Sequence, residues 1–326
     1  MSDQASVPDQ KPANQESIPD QKSPKAIRPS LFILFCIIIV VSIAMHLILR
    51  SDISGAAILY VGIPSVIAVL LLPFTATMSK QGWKSSFARL SMYSLIIMLA
   101  SSAILFEGFL CVVMFMPIYF GVIFIVFLIK LAYEHNKSKS RLHLHVLPLL
   151  LFVAALEGIS PELSFNRYNA VSATKVVNAS IPEVKHNLIQ PVELNQERHW
   201  FLSLFPMPYQ MDAKALEEGD IHTIHYRYHR WFVTNTHEGY TKLKVAEVSD
   251  RSIRLEVLDD TSYLATYLNA LGTEISMHPL DGGSTEVTLT IKYERLLDPA
   301  WYFDPMQKYA TKLVGEYLIG VMMEGH

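Results

Sequence analysis

Hydrophobic and polar positions divide the 326-residue chain into three zones. Residues 1–30 are polar and rich in Pro, Gln, Asp and Ser. Ser6-Val7-Pro8-Asp9-Gln10-Lys11 returns there as Ser17-Ile18-Pro19-Asp20-Gln21-Lys22. Such a segment cannot bury enough apolar surface to offset its ordering entropy, so a disordered tail is expected, and a cleavable secretory signal is not. Apolar runs follow at 31–49, 54–78, 90–106 and 108–129. A fifth run, 142–159, is interrupted by His143, His145 and Glu157. A bilayer core of about 30 Å takes roughly 20 helical residues, and even the 18 residues of the fifth run would rise about 27 Å. Residues 31–160 are therefore expected to form a transmembrane region of about five helices.

Beyond Asn166 the period shortens to two. Ile253, Leu255 and Val257 alternate with Arg254 and Glu256, and Val287, Leu289, Ile291 and Tyr293 alternate with Thr288, Thr290 and Lys292. Each pattern predicts a strand with one buried face. Further strands are expected at 174–178, 221–233, 240–248 and 273–278, with a turn at Asp281-Gly282-Gly283-Ser284. A short helix is expected from Pro182, after Ser180. The chain closes in an amphipathic helix whose start is expected at Pro305, capped by Asp304. Its apolar stripe includes Tyr309, Leu313 and Tyr317, opposite Lys308, Lys312 and Glu316. Strands followed by a long helix define an α+β domain over residues 171–326.

Charge sharpens this picture. The net charge is −3, made of +4 over residues 1–170 and −7 over residues 171–326. An acidic second half argues against a nucleic-acid partner. Apolar residues reach 51%, charged residues only 17%, and the mean hydropathy is +0.28. Cys36 and Cys111 both lie in apolar runs, which leaves no disulfide framework and no cysteine zinc site. Lys22, Lys25 and Arg28 precede the first run; Lys80, Lys84 and Arg89 separate the second from the third; Lys130, Lys137, Lys139 and Arg141 separate the fourth from the fifth. Five spans place all three clusters on one side, giving a multi-pass protein with a cytoplasmic N-terminus and an extracytoplasmic C-terminal domain. A fifth run lying on the surface instead would leave that domain in the cytoplasm.

Several features of residues 174–323 occur together. They are the opening strand into Ser180-Ile181-Pro182-Glu183-Val184, Gly219-Asp220 before the long strand, and Gly239-Tyr240 leading the next. Arg254-Leu255-Glu256-Val257, Gly282-Gly283-Ser284-Thr285-Glu286-Val287 and the terminal helix complete the order. This order resembles the START-like, or SRPBCC, superfamily of polyketide cyclase-type helix-grip domains. The segment from Leu297 to Pro305 resembles that seen where such a domain follows several membrane spans, and Glu107-Gly108, Cys111, Met114 and Pro117 resemble the matching feature of the membrane half. The resemblance implies a curved antiparallel sheet around a long C-terminal helix, with a hydrophobic cavity between them, and no particular reaction.

Alternation along the long strand puts Ile224, Tyr226, Tyr228, Arg230 and Phe232 on one face, the expected cavity wall, and His225, Arg227, His229 and Trp231 on the other. Tyr309, Leu313 and Tyr317 are the expected wall on the helix. Arg230 is a candidate anchor for a ligand carboxylate or phosphate, or else a partner for an acid on the next strand. Glu107 and Glu157 are candidates for a polar gate at the membrane surface, against ordinary helix-end glutamates. Residues 109–116, ending at Pro117, read either as a re-entrant segment or as the start of the fourth helix. The apolar stretches 200–209 and 263–271 either dip into the bilayer or roof the domain's own core. Walker, lipase-type, zincin and Rossmann motifs are absent. The expected activity is membrane-anchored binding of a lipid or other hydrophobic molecule, with no cofactor or metal and with the bilayer as partner. The alternatives are a filled-core protein that binds a protein partner, and a cyclase-like enzyme.

Overall fold

A computed structural model describes residues 29–49, 54–72, 78–105, 109–135, 146–190, 192–194, 197–231 and 234–324. Among the described residues five α-helices come first: α1 (Pro29–Leu49), α2 (Ile63–Leu71), α3 (Met78–Leu105), α4 (Phe109–His135) and α5 (Val146–Ala154). A π-helical turn, Ile58–Gly62, leads into α2. Their shared core contains Leu71, Leu90, Ile97, Ile123 and Phe127. The buried Tyr119 hydroxyl donates to the Ser94 carbonyl at 2.8 Å, so a polar group deep in this bundle is matched.

Among the described residues, one helix, Val112–Tyr133, is long and apolar enough to cross a membrane, and the apolar stretch Ile58–Leu71 is shorter. α4 continues through Pro117. Residues 109–116 are thus the beginning of a long helix and not a re-entrant segment. Pro117 removes one backbone donor from that helix without ending it. Among the described residues the fifth apolar run holds the nine residues of α5, and the chain turns at residues 155–158 before reaching Pro161.

Among the described residues the second half is built on eight strands: β1 (Tyr168–Val177), β2 (Val192–Glu193), β3 (Pro208–Asp212), β4 (Ile221–Trp231), β5 (Thr234–Val248), β6 (Ser252–Asp260), β7 (Leu268–Pro279) and β8 (Thr285–Arg295). They pair in the order β1-β8-β7-β6-β5-β4-β3-β2, antiparallel throughout. Register shifts at Lys242/Leu243, Val245/Glu247 and Ala270/Gly272 add local twist and curl the sheet. A short helix, α6 (Ile181–Leu188), follows β1, and its start is fixed by a reciprocal capping box between Ser180 and Glu183. The final helix, α7 (Ala300–Glu324), lies in the concave face against β1 and β8. Val184, Val245, Ile253, Met277, Val287 and Ile319 are buried between the layers. The result is a curled antiparallel sheet holding a C-terminal helix, the helix-grip arrangement.

α7 begins at Ala300, five residues before the expected Pro305, which falls inside it. The helix therefore starts directly after Pro299, not at Asp304-Pro305. Pro305 lies past the first turn and removes one internal amide donor from the helix without ending it.

Candidate functional site

Between the curled sheet and α7 lies a cavity of about 180 Å³. A single water needs only about 10–15 Å³ by the same measure, so the space suits a small molecule. β4 contributes Ile224 and Tyr226, and β5 contributes Thr241 and Leu243. The alternation that points one face of each strand inward makes this possible. α7 contributes Met306, Gln307, Ala310, Thr311, Val314 and Leu318. The roof comes from Leu202, Phe205 and Met207 on one side and Leu264, Tyr267 and Leu268 on the other. Both apolar stretches noted in the sequence thus cover the domain's own interior, while Trp200 at the edge of the first is exposed. Met114, from α4, also reaches the cavity wall.

Polar groups gather along one edge. The Thr241 hydroxyl donates to the Asp260 carboxylate at 3.0 Å, and the Ser262 amide donates to the same oxygen at 2.9 Å. The Tyr226 phenol lies beside Thr241 and Asp260, and burial, reinforced by the Asp260 charge, pushes its pKa up to about 12. The phenol is therefore neutral at ordinary pH. On α7, the Gln307 amide nitrogen donates to the Tyr267 carbonyl at 3.2 Å, leaving its buried oxygen without a partner. The buried Ser262 hydroxyl is likewise without a partner.

The expected site residues divide unevenly over this geometry. Ile224 and Tyr226 line the cavity. Tyr228 lies in the apolar cluster of Met114, Tyr263, Tyr267, Leu297 and Phe303, its ring stacked on Tyr263 with centroids 4.8 Å apart. The side chain of Arg230, all of Phe232 and Glu107 lie outside the described residues. On α7, the expected trio does not meet the cavity. Tyr309 is 49% exposed and packs on Phe201, and the Tyr317 hydroxyl donates to the Leu194 carbonyl at 2.9 Å. Leu313 is half-buried and is not a wall residue. The inner face is instead the neighbouring stripe through Gln307, Thr311, Val314 and Leu318, spaced four, three and four apart. Val314 and Leu318 belong to the expected apolar stripe as well, whereas Gln307 and Thr311 are polar and an apolar-stripe reading passes over them. Thr241 could have been found, since it shares parity with Leu243 and Val245 on β5. On the opposite face of β4, His225 lies 3.0 Å from Asp212 and Arg227 pairs with Glu238 at 2.9 Å, as a polar outer face requires.

Glu157 is buried in a joint between the two halves. Its carboxylate accepts the Ala300 amide, and its carbonyl accepts from Ala57 at 2.9 Å. Beside it, Asp298 pairs with the fully buried Arg295 and, at 2.5 Å, with Arg167. The Asp298 amide donates to the Gly55 carbonyl at 2.7 Å. Gly158 has φ of +82°, and a Cβ there would lie 2.1 Å from the Asp298 carboxylate. Tyr302 adds a hydrogen bond from its hydroxyl to the Met114 carbonyl. Glu157 therefore joins the helices to the grip domain and does not line the cavity.

No family model matches the chain, and neither does any curated protein. Solved structures do. A START superfamily protein from Mycobacterium smegmatis is 14% identical over 48% of this chain and 95% of its own, with a TM-score of 0.31. The Zhui aromatase/cyclase from Streptomyces sp. R1128 is 13% identical over 47% and 96%, with a TM-score of 0.28. Major latex-like protein 151 from Panax ginseng is 15% identical over 47% and 99%, with a TM-score of 0.26. The matched portion is the C-terminal half of this chain.

Proposed function

We propose that this protein binds an apolar small molecule or lipid between its curled sheet and α7, and that its helical segment anchors it in a membrane. The observation that supports the reading best is the cavity itself, which has apolar walls and a short polar edge. Binding would be passive: the walls desolvate the ligand and the polar edge orients it. Exchange with the bilayer would pass along α4, whose Met114 stands at the wall. Exposed apolar side chains on the helices, among them Val40, Val66, Val69, Phe124, Phe152 and Val153, support the anchoring. The basic clusters between the apolar runs favour a multi-pass topology with a cytoplasmic N-terminus, and the side of the grip domain follows from whether the run that holds α5 crosses the bilayer.

Native mass spectrometry of the full chain, purified in mild detergent, tests the reading. A stoichiometric apolar molecule that is lost in Val314→Phe or Ala310→Phe, both of which fill the cavity, is the expected result. An empty protein that accepts these larger side chains with raised stability would overturn it.

A further inference from the structure

The chemistry of the polar edge narrows the class of ligand, on the reading that the cavity is a ligand site. Asp260 is the one formally charged residue among the described wall residues. No described lysine or arginine reaches the wall, and the buried Arg295 is engaged by Asp298. A carboxylate or phosphate entering here would lose its hydration, meet no cation and face the Asp260 charge.

One of the groups left over needs a donor, and the other can either take or give a hydrogen bond. Gln307, only 6% exposed, has its amide orientation fixed by the bond from its nitrogen to the Tyr267 carbonyl, so the unpartnered atom is the acceptor oxygen. Ser262, 4% exposed, presents a hydroxyl without a partner. Each is a buried polar group that a protein of this kind does not ordinarily leave unmatched. Asp260 offers further acceptor capacity, since an ionised carboxylate has about four lone-pair sites and two donors are given to it here.

We infer that the cavity takes an uncharged apolar molecule carrying a hydrogen-bond donor, such as a hydroxyl, and rejects acid-headed lipids. The donor is received by the Gln307 oxygen, and the apolar body lies against Ile224, Leu243, Val314 and Leu318.

The test is displacement of the neutral fluorophore N-phenylnaphthylamine from the full chain held in amphipol, using dodecanol, dodecyl methyl ether and dodecanoate. Dodecanol should displace it about tenfold more tightly than either of the others, the difference expected for one buried hydrogen bond. Gln307→Leu should abolish that advantage without changing the ether's affinity. The Tyr267 carbonyl keeps the Leu296 amide as a donor in that variant, whereas Ser262→Ala removes a group that can both give and take and should leave the alcohol's advantage in place. Dodecanoate binding as tightly as dodecanol, with the binding lost in Arg230→Gln, would overturn the inference while leaving the cavity a ligand site. So would an alcohol no tighter than its ether. Fluorophore binding that ignores Val314→Phe would remove the ligand site itself, and the inference with it.

Discussion

The Glu157 carboxylate accepts the Ala300 amide hydrogen at 2.8 Å, so a side chain at the end of the helical segment caps a helix 143 positions later. The first amides of any helix lack internal partners, and the N-terminal end carries partial positive charge. A carboxylate satisfies both needs. Glu157→Ala should therefore destabilise the protein by about 1–3 kcal/mol. Glu157→Gln, which keeps an acceptor but not the charge, should lie between. Thermal unfolding of the full chain, with amide exchange followed at Ala300, reads this directly. Unchanged exchange in Glu157→Ala would mean that the cap contributes nothing.

Gly158 lets that carboxylate and Asp298 come together. Its positive φ suits glycine, and the Asp298 side chain occupies the place where a Cβ would project. Gly158→Ala should cost more than about 1 kcal/mol, because strain and collision add. If the joint couples the two halves, Gly158→Ala should lower their unfolding together. Two separated transitions, only one of them shifted, would show that the halves unfold independently.

Alkaline stability should report the buried phenols. Burial pushes both Tyr226 and Tyr293 from the ordinary value of 10.0 to about 12. In the unfolded chain they release protons near pH 10, while the folded chain holds them longer. Their contribution is thus fully present below pH 10 and is lost as pH rises from 10 toward 12. The unfolding midpoint should fall across that window, and less steeply in Tyr226→Phe. Phenolate absorbance that appears near pH 10 for every tyrosine of the native protein would contradict this.

The fold was legible where chemistry repeats locally. Period-two alternation located β6 and β8, Ser180 before Pro182 located α6, and the length of the apolar runs located α4. What stayed hidden depends on partners distant in sequence. Ala300 begins α7 next to Glu157, and no local pattern could say so; Pro305 offered a plausible start five residues late. That displacement did not itself rotate the helix. The apolar stripe through Tyr309, Leu313 and Tyr317 was simply broader than the face that meets the sheet. Gln307 and Thr311 were passed over because polar residues on an inner face look like solvent-facing ones until the opposite wall is known. Thr241 and Asp260 are nineteen positions apart, and only the pairing of β5 with β6 brings them together.

Those two faces of α7 make opposite predictions. Val314 faces the cavity, so Val314→Phe should fill it and exclude a bound molecule, at little cost to folding because the space is already open. Tyr309 lies outside, packed on Phe201 at 5.3 Å between ring centroids. Tyr309→Ala should lose an edge contact worth about 0.5–1.5 kcal/mol and leave ligand occupancy unchanged. Fluorophore binding and thermal unfolding, measured on both variants, separate the alternatives. Occupancy lost in Tyr309→Ala and kept in Val314→Phe would mean that the ligand lies on the outer face of the helix, under the loop that carries Trp200 and Phe201. Loss in Val314→Phe alone would place it between helix and sheet, where the unmatched oxygen of Gln307 can receive it.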